Sequence, residues 1–186
     1  KLVFLRAKAM QKSCENTNRT MAAILGLDDE KIKEICTNYN GNVIAANFNC
    51  PGQVVISGEI NAVKDICEKF NSLGARRSLI LPVSVAFHSS MMNDAKSELK
   101  EAIDSTNFSE PSCPIYQNFN ANKTIVISEI KNNLINQLTN PVLWTQTVNN
   151  MINDGINDFI EVGPGKVLQG LIRKINRDCS TKSALA

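Results

Sequence analysis

The sequence predicts an α/β protein in which a small β-α-β-β-α-β unit is inserted into a larger α/β layer, and three observations predict it. Between about Met21 and Val83, four short β-branched runs alternate with two helix-period segments. From Met91 onward, helical patterns alternate with short strand patterns at the spacing of a parallel layer. The opening "KLVFLRAKAMQ" reads as an amphipathic helix, with Leu2, Leu5, Ala9 and Met10 on one side, and belongs to neither run.

The elements follow in chain order. After the opening helix and the polar "KSCENTNRT", "MAAILGL" suits a strand that ends at Gly26, and "DDEKIKEICTNY" opens with acids at a helix N-terminus. "NVIAANF" and "QVVISG" are β-branched runs joined by the turn-rich "NCPG", which predicts a hairpin-like pair. "EINAVKDICEKFNSLG" places Ile60, Val63, Ile66, Cys67 and Phe70 on one face with Gly74 as a C-cap, and "RRSLILPVSV" closes the unit as a strand. This order is that of a ferredoxin-like split unit. Beyond it, "MMNDAKSELKEAI" is a helix, "CPIYQNF" a strand and "SEIKNNLINQL" a helix capped by Ser128. "NPVLWTQTVNNMINDG" is a helix ending at Gly155, "INDFIEVGPG" a buried strand running into a glycine turn, and "KVLQGLIRKIN" the closing helix. The tail "STKSALA" is expected to fray. The predicted division is therefore 1–19 as a helix of the large part, 20–83 as the small unit, and 84–186 as the remainder.

Composition removes several function classes. The 186 residues carry 43% hydrophobic and 20% charged residues, an ordinary balance for a packed domain, and no apolar run approaches the ~18 residues of a membrane-spanning helix. A net charge of +2 gives no general reason to expect nucleic acid as a partner. The six cysteines include no C-x-x-C pair, and Cys36 and Cys67 fall on apolar helix faces, so reduced thiols are expected; with one histidine in the chain, a Cys/His zinc site lacks its ligands. The frequent asparagines fall within intact hydrophobic periods and signal compositional bias on a folded chain.

That one histidine, His88 in "VSVAFHSSMM", is either a structural group or a general base presented at a strand end. Ser89 and Ser90 adjoin it but point elsewhere by local geometry. No G-x-S-x-G elbow exists, and Cys50 in "FNCPGQ" is the remaining candidate nucleophile, although Pro51 and Gly52 read as turn residues. "EVGPGKVLQG" is either a tight strand-to-helix turn or a phosphate-accepting helix start. Arg76, Arg77, Arg173 and Lys174 would suit a phosphate-bearing or acidic partner if they converge on one rim. Arg6, close to an apolar helix face, either snorkels to solvent or wants a carboxylate for its planar fork.

Taken together, "LVFLRAKAMQ", "NFNCPGQVVISG", "GARRSLILPVSVAFHSSMM", "QLTNPVLWTQTV" and "EVGPGKVLQGL" resemble the malonyl-CoA:acyl carrier protein transacylase family, in order and up to about Asn176. The resemblance implies an α/β-hydrolase-like large subdomain with an inserted ferredoxin-like subdomain. It implies that His88 is the base that activates a serine, with the backbone carbonyl of Gln137 orienting its ring. Arg6 matches the arginine that grips the malonyl carboxylate, Phe87 the bulky residue that goes with malonyl over methyl-branched groups, and Asn49 an asparagine near the pocket. The family's G-H-S-x-G elbow and early G-Q-G loop have no counterpart in these residues, which implies the C-terminal part of such an enzyme, with its nucleophile upstream of Lys1. The implied partners are malonyl-CoA and acyl carrier protein, with the N-terminal segment either removed by proteolysis, left outside these residues or supplied as a separate chain; no metal or redox cofactor is implied. The alternative is a non-catalytic module that binds CoA or the carrier protein. The asparagine, lysine and isoleucine bias suits either a plastid-like organelle or a bacterial cytoplasm.

Overall fold

The structure, a computed structural model, describes residues 1–13 and 18–184. Part of "KSCENTNRT", with Cys14, and the last two residues of the tail lie outside the described residues. Helix α1 (Leu2–Lys12) is followed by β1 (Arg19–Leu25), α2 (Asp29–Thr37), β2 (Val43–Cys50), β3 (Gln53–Glu59), α3 (Ile60–Ser72) and β4 (Arg77–Ile80). The four strands form one sheet in the order β2-β3-β1-β4, every neighbour antiparallel, which is the ferredoxin-like arrangement. Asp28 caps α2 by accepting from the Lys31 amide at 3.0 Å.

Both faces of this sheet are covered, which explains why its strands read as continuous apolar runs. On one face Ile24, Phe48, Val54 and Ile56 pack against Ile32 of α2 and Val63, Ile66 and Phe70 of α3. On the other, Met21, Ala46 and Val55 receive Leu81, Val85 and Phe87 from the segment after β4. The sheet thus serves as the bed on which that segment lies. The strand expected to reach Val83 ends at Ile80, because Pro82 has no amide to offer the ladder. The segment stays tied down nonetheless, by the Leu81 amide to the Met21 oxygen at 2.9 Å and by the Thr20 hydroxyl to the Val83 oxygen at 3.1 Å.

A 3-10 turn at Ser90–Met92 then leads into α4 (Asn93–Asp104), which packs on α1 through Ala9, Met10, Met92, Ala95 and Leu99. The chain continues as β5 (Ile115–Tyr116), β6 (Lys123–Thr124), α5 (Ile127–Asn136), α6 (Trp144–Asn153), β7 (Asp158–Glu161), α7 (Val167–Ile175) and β8 (Ser180–Ser183). "CPIYQNF" contributes only two paired residues, in a hairpin with β6.

Four other expectations change. Ser128 is no cap: α5 starts at Ile127 with Val126 before it, and the Thr124 hydroxyl, which accepts from the Val126 amide at 3.0 Å, fixes the entry instead. Helix α6 begins at Trp144, since Val142 is spliced into β2, giving its amide to Ala46 and accepting from Phe48 at 2.8 and 2.9 Å. Strand β7 is half-exposed rather than buried, with Ile160 54% accessible, because its one described neighbour is β8. That neighbour is the tail expected to fray: Ser180–Ser183 pairs parallel to β7.

Candidate active site

The segment lying on the second face of the sheet delivers His88 at its end. His88 has φ 58, a left-handed conformation that a side-chain-bearing residue adopts only when its surroundings impose it. Here they do. Phe87 is held against both the sheet and the α1–α4 cluster, and buried Ser89 anchors the next turn by donating to the Ala86 oxygen at 2.7 Å and accepting from the Met91 amide at 3.3 Å. Ser89 is therefore committed to structure, as its position beside His88 predicts.

The His88 imidazole places Nδ1 2.8 Å from the main-chain oxygen of Gln137, the residue that follows α5 as its C-cap. A carbonyl only accepts, so Nδ1 carries the proton and Nε2 keeps its lone pair. Burial pushes the His88 pKa below its usual 6.5; the Gln137 carbonyl opposes this, the charge of Arg6 adds to it, and the Asn140 main chain opposes it again. The imidazole is thus held neutral at ordinary pH, the form a base needs.

Arg6 projects from α1 between two cavities. One, of about 370 Å³, is shared with Val85 and Phe87. The other, of about 380 Å³, is walled by Leu99, Ile103, Phe108 and Leu134 and reaches Gln137. Burial lowers the Arg6 pKa, and among the described residues no carboxylate pairs with it. The guanidinium is half-buried and held toward a cleft, the setting in which a carboxylate ligand would be held bidentately.

Arg6, Phe87, His88 and Gln137 thus converge. Asn49, on β2, borders neither cavity. Cys50 is 1% exposed, its thiol is pushed up by burial, and its hydrogen-bond partner is the Gln53 amide oxygen at 3.7 Å, which removes it as a nucleophile. The phosphate reading of "EVGPGK" also falls: the Glu161 carboxylate already accepts from the Leu168 and Gln169 amides at 3.2 Å each, filling the start of α7. No group of three metal-ligating side chains exists among the described residues. The basic residues partly converge. Leu25 pairs with both Gln53 and Arg77, and Lys174 donates to the Gln53 side chain at 3.0 Å, so Arg77 and Lys174 mark one end of the sheet, whereas Arg173 bonds Thr181. Asn140, whose main chain also acts on His88, has no sequence signal of its own beyond its place in "LTNPV".

The acyl transferase domain family matches residues 1–184. A curated malonyl CoA-acyl carrier protein transacylase of Staphylococcus aureus is 39% identical over 186 residues, covering 98% of this chain and 60% of the relative. The solved acyl-carrier-protein-S-malonyltransferase of Bartonella henselae superposes with a TM-score of 0.95 at 36% identity, covering 100% of this chain and 60% of that one. A malonyl-transacylase solved in complex with its type II polyketide acyl-carrier protein gives 0.91 at 36% identity, covering 98% and 59%. The chain therefore spans about 60% of the length of the relatives it matches.

Proposed function

Since the chain belongs to the acyl transferase domain family, we propose that it carries the base and the carboxylate clamp of an enzyme that moves malonyl from CoA to the phosphopantetheine thiol of acyl carrier protein. The observation that carries this reading is the His88 Nδ1 to Gln137 oxygen contact at 2.8 Å, beside an Arg6 that has no described carboxylate partner.

The steps follow from the atoms available. His88 Nε2 accepts the proton of a serine hydroxyl as the serine oxygen attacks the malonyl thioester carbonyl. The C–S bond breaks, and the departing CoA thiolate takes that proton from the imidazolium. In the second half the carrier thiol gives its proton to Nε2, its sulfur attacks the acyl-serine ester, and the serine oxygen leaves with the proton. The Gln137 carbonyl holds the ring so that Nε2 faces the reacting atoms, and it stabilises the imidazolium that forms twice per cycle. Arg6 holds the distal malonyl carboxylate, and Phe87, on the same cavity, limits space at the malonyl α-carbon. Asn49 has a weaker claim to the pocket, resting on its motif alone. The nucleophile is assigned to a serine outside these 186 residues, which hold no G-x-S-x-G elbow; a separate N-terminal chain is one source. We also adopt the division 1–19, 20–83 and 84–186, with the first and last parts forming an α/β-hydrolase-like subdomain.

Acyl exchange between thioester and hydroxyl changes no oxidation state, so the reading calls for no redox cofactor, and the proton transfers assigned to His88 call for no metal. The basic end marked by Arg77 and Lys174 suits an acidic carrier protein or the CoA phosphates. The bacterial source of the named relatives favours a bacterial cytoplasm over a plastid-like organelle; no described helix is long and apolar enough to cross a membrane. The test is malonyl transfer by the protein assembled with the serine-bearing segment. His88→Ala should cost about 10²–10⁴-fold in kcat; transfer that survives intact in that variant overturns the assignment.

A further inference from the structure

We propose that the side-chain amide of Gln137 is a positioning group for His88: by clasping the Asn140 and Pro141 carbonyls it fixes the turn whose main-chain oxygen holds the imidazole. The Gln137 Nε2 donates to both oxygens at 3.0 Å. Every amino acid at position 137 would supply a main-chain oxygen, so the contact with His88 does not itself call for glutamine. What glutamine adds is the clasp.

Without it, that oxygen would be loosely placed. The last carbonyls of a helix lack intrahelical partners and are free to tilt. Gln137 closes α5, its amide still bonded to the Asn133 oxygen at 2.9 Å, and its own oxygen is one of those orphans, satisfied by the His88 Nδ1–H. The clasp ties this helix end to the start of the next segment, and the Asn140 side chain adds a second tie, donating to the Asn136 oxygen at 2.8 Å.

The far side of the turn is anchored in another element. Val142 exchanges hydrogen bonds with Ala46 and Phe48 of β2 at 2.8 and 2.9 Å, and the Thr145 hydroxyl donates to the Phe48 oxygen at 3.1 Å. The carbonyl that orients the base is therefore set jointly by the end of α5 and by the ferredoxin-like sheet. A displacement of β2 moves Val142, then the clasped carbonyls, then the imidazole. The functional meaning of this linkage rests on His88 acting as the base; the linkage itself does not.

His88 is the one histidine of the 186 residues, so nitrogen-edited NMR of the whole chain reads a single imidazole. The expected wild-type signal is one tautomer, protonated at Nδ1, with Arg6 the charged group acting on the ring. Gln137→Met, of similar length and without a donor, should give a mixture of tautomers while the methyl signals of buried Ile24 and Ile56 stay in place. Gln137→Asn keeps an amide one methylene too short for the clasp; it should show the same loss, and it decides the matter if the methionine variant does not fold. An unchanged Nδ1–H tautomer in a folded variant overturns the proposal. A wild-type Nδ1–H tautomer in a protein whose assembled form transfers no malonyl refutes the acyltransferase reading alone.

Discussion

Arg6 disfavours a proton on His88: the guanidinium on α1 helps to hold the imidazole pKa below 6.5, second among the lowering causes to burial. Replacing Arg6 with Met removes that effect. The His88 titration, followed by its ring-proton shifts, should then move up toward 6.5; a midpoint that stays put would show that burial acts alone.

The same depressed pKa makes stability depend on pH in a defined direction. Between the folded value and 6.5 the unfolded chain binds more protons than the folded one, so unfolding free energy rises with pH there. The His88 contribution is fully present above 6.5 and is lost as pH falls through the folded value. Denaturant midpoints measured across that window should show wild type losing stability relative to His88→Gln as pH falls; a constant gap would contradict the linkage.

Acyl selectivity should follow Arg6. A charge-assisted bidentate pair is worth about 1.5–3 kcal/mol, roughly 10- to 100-fold in kcat/KM. Arg6→Ala in the assembled enzyme should lose about that factor with malonyl-CoA and little with acetyl-CoA. Equal losses with both donors would remove the clamp from the mechanism.

Glu161 caps α7 from the preceding strand, and an equivalent cap contributes about 1 kcal/mol. Glu161→Ala should lower the thermal midpoint by a few degrees, whereas Glu161→Gln, which keeps an acceptor, should lower it less. If inorganic phosphate restores the alanine variant, the vacated helix start does bind anions.

Thiol reagents should rank the described cysteines by burial. Cys113 is exposed, whereas Cys36 and Cys67 are buried, with pKa values pushed up to about 12 and about 11. Mass spectrometry after brief labelling of the native chain should find Cys113 modified before the other four; early labelling at Cys50 would reopen its reactivity.

How much of this was legible in the sequence differs between the two halves. From Met21 to Ile80 only the β2–β3 hairpin is a local pairing, and β1 meets β3 and β4 from far along the chain, yet each strand and helix announces itself by hydrophobic period and turn chemistry, and their order matches one split unit that fixes the sheet. After His88 the pairings are distant or thin. Val142 reads as the start of a helix and is captured by β2 instead, a contact that spans nearly a hundred positions and leaves no local trace. "INDFIEV" carries the composition of a core strand, yet composition cannot say that its one described neighbour is the polar Ser180–Ser183. At the site, Arg6 was conspicuous because a cation sat among apolar residues, whereas the roles of Asn140 and of the Gln137 side chain are matters of geometry that residue type does not announce.

The positive φ of His88 sets stability against chemistry at a single position. A side chain there costs about 1 kcal/mol of backbone strain or more that glycine would relieve. Any screen that selects this protein for heat resistance alone will therefore favour discarding the imidazole, and under the proposed function a survivor of such a screen is a firmer scaffold with nothing left to move a proton.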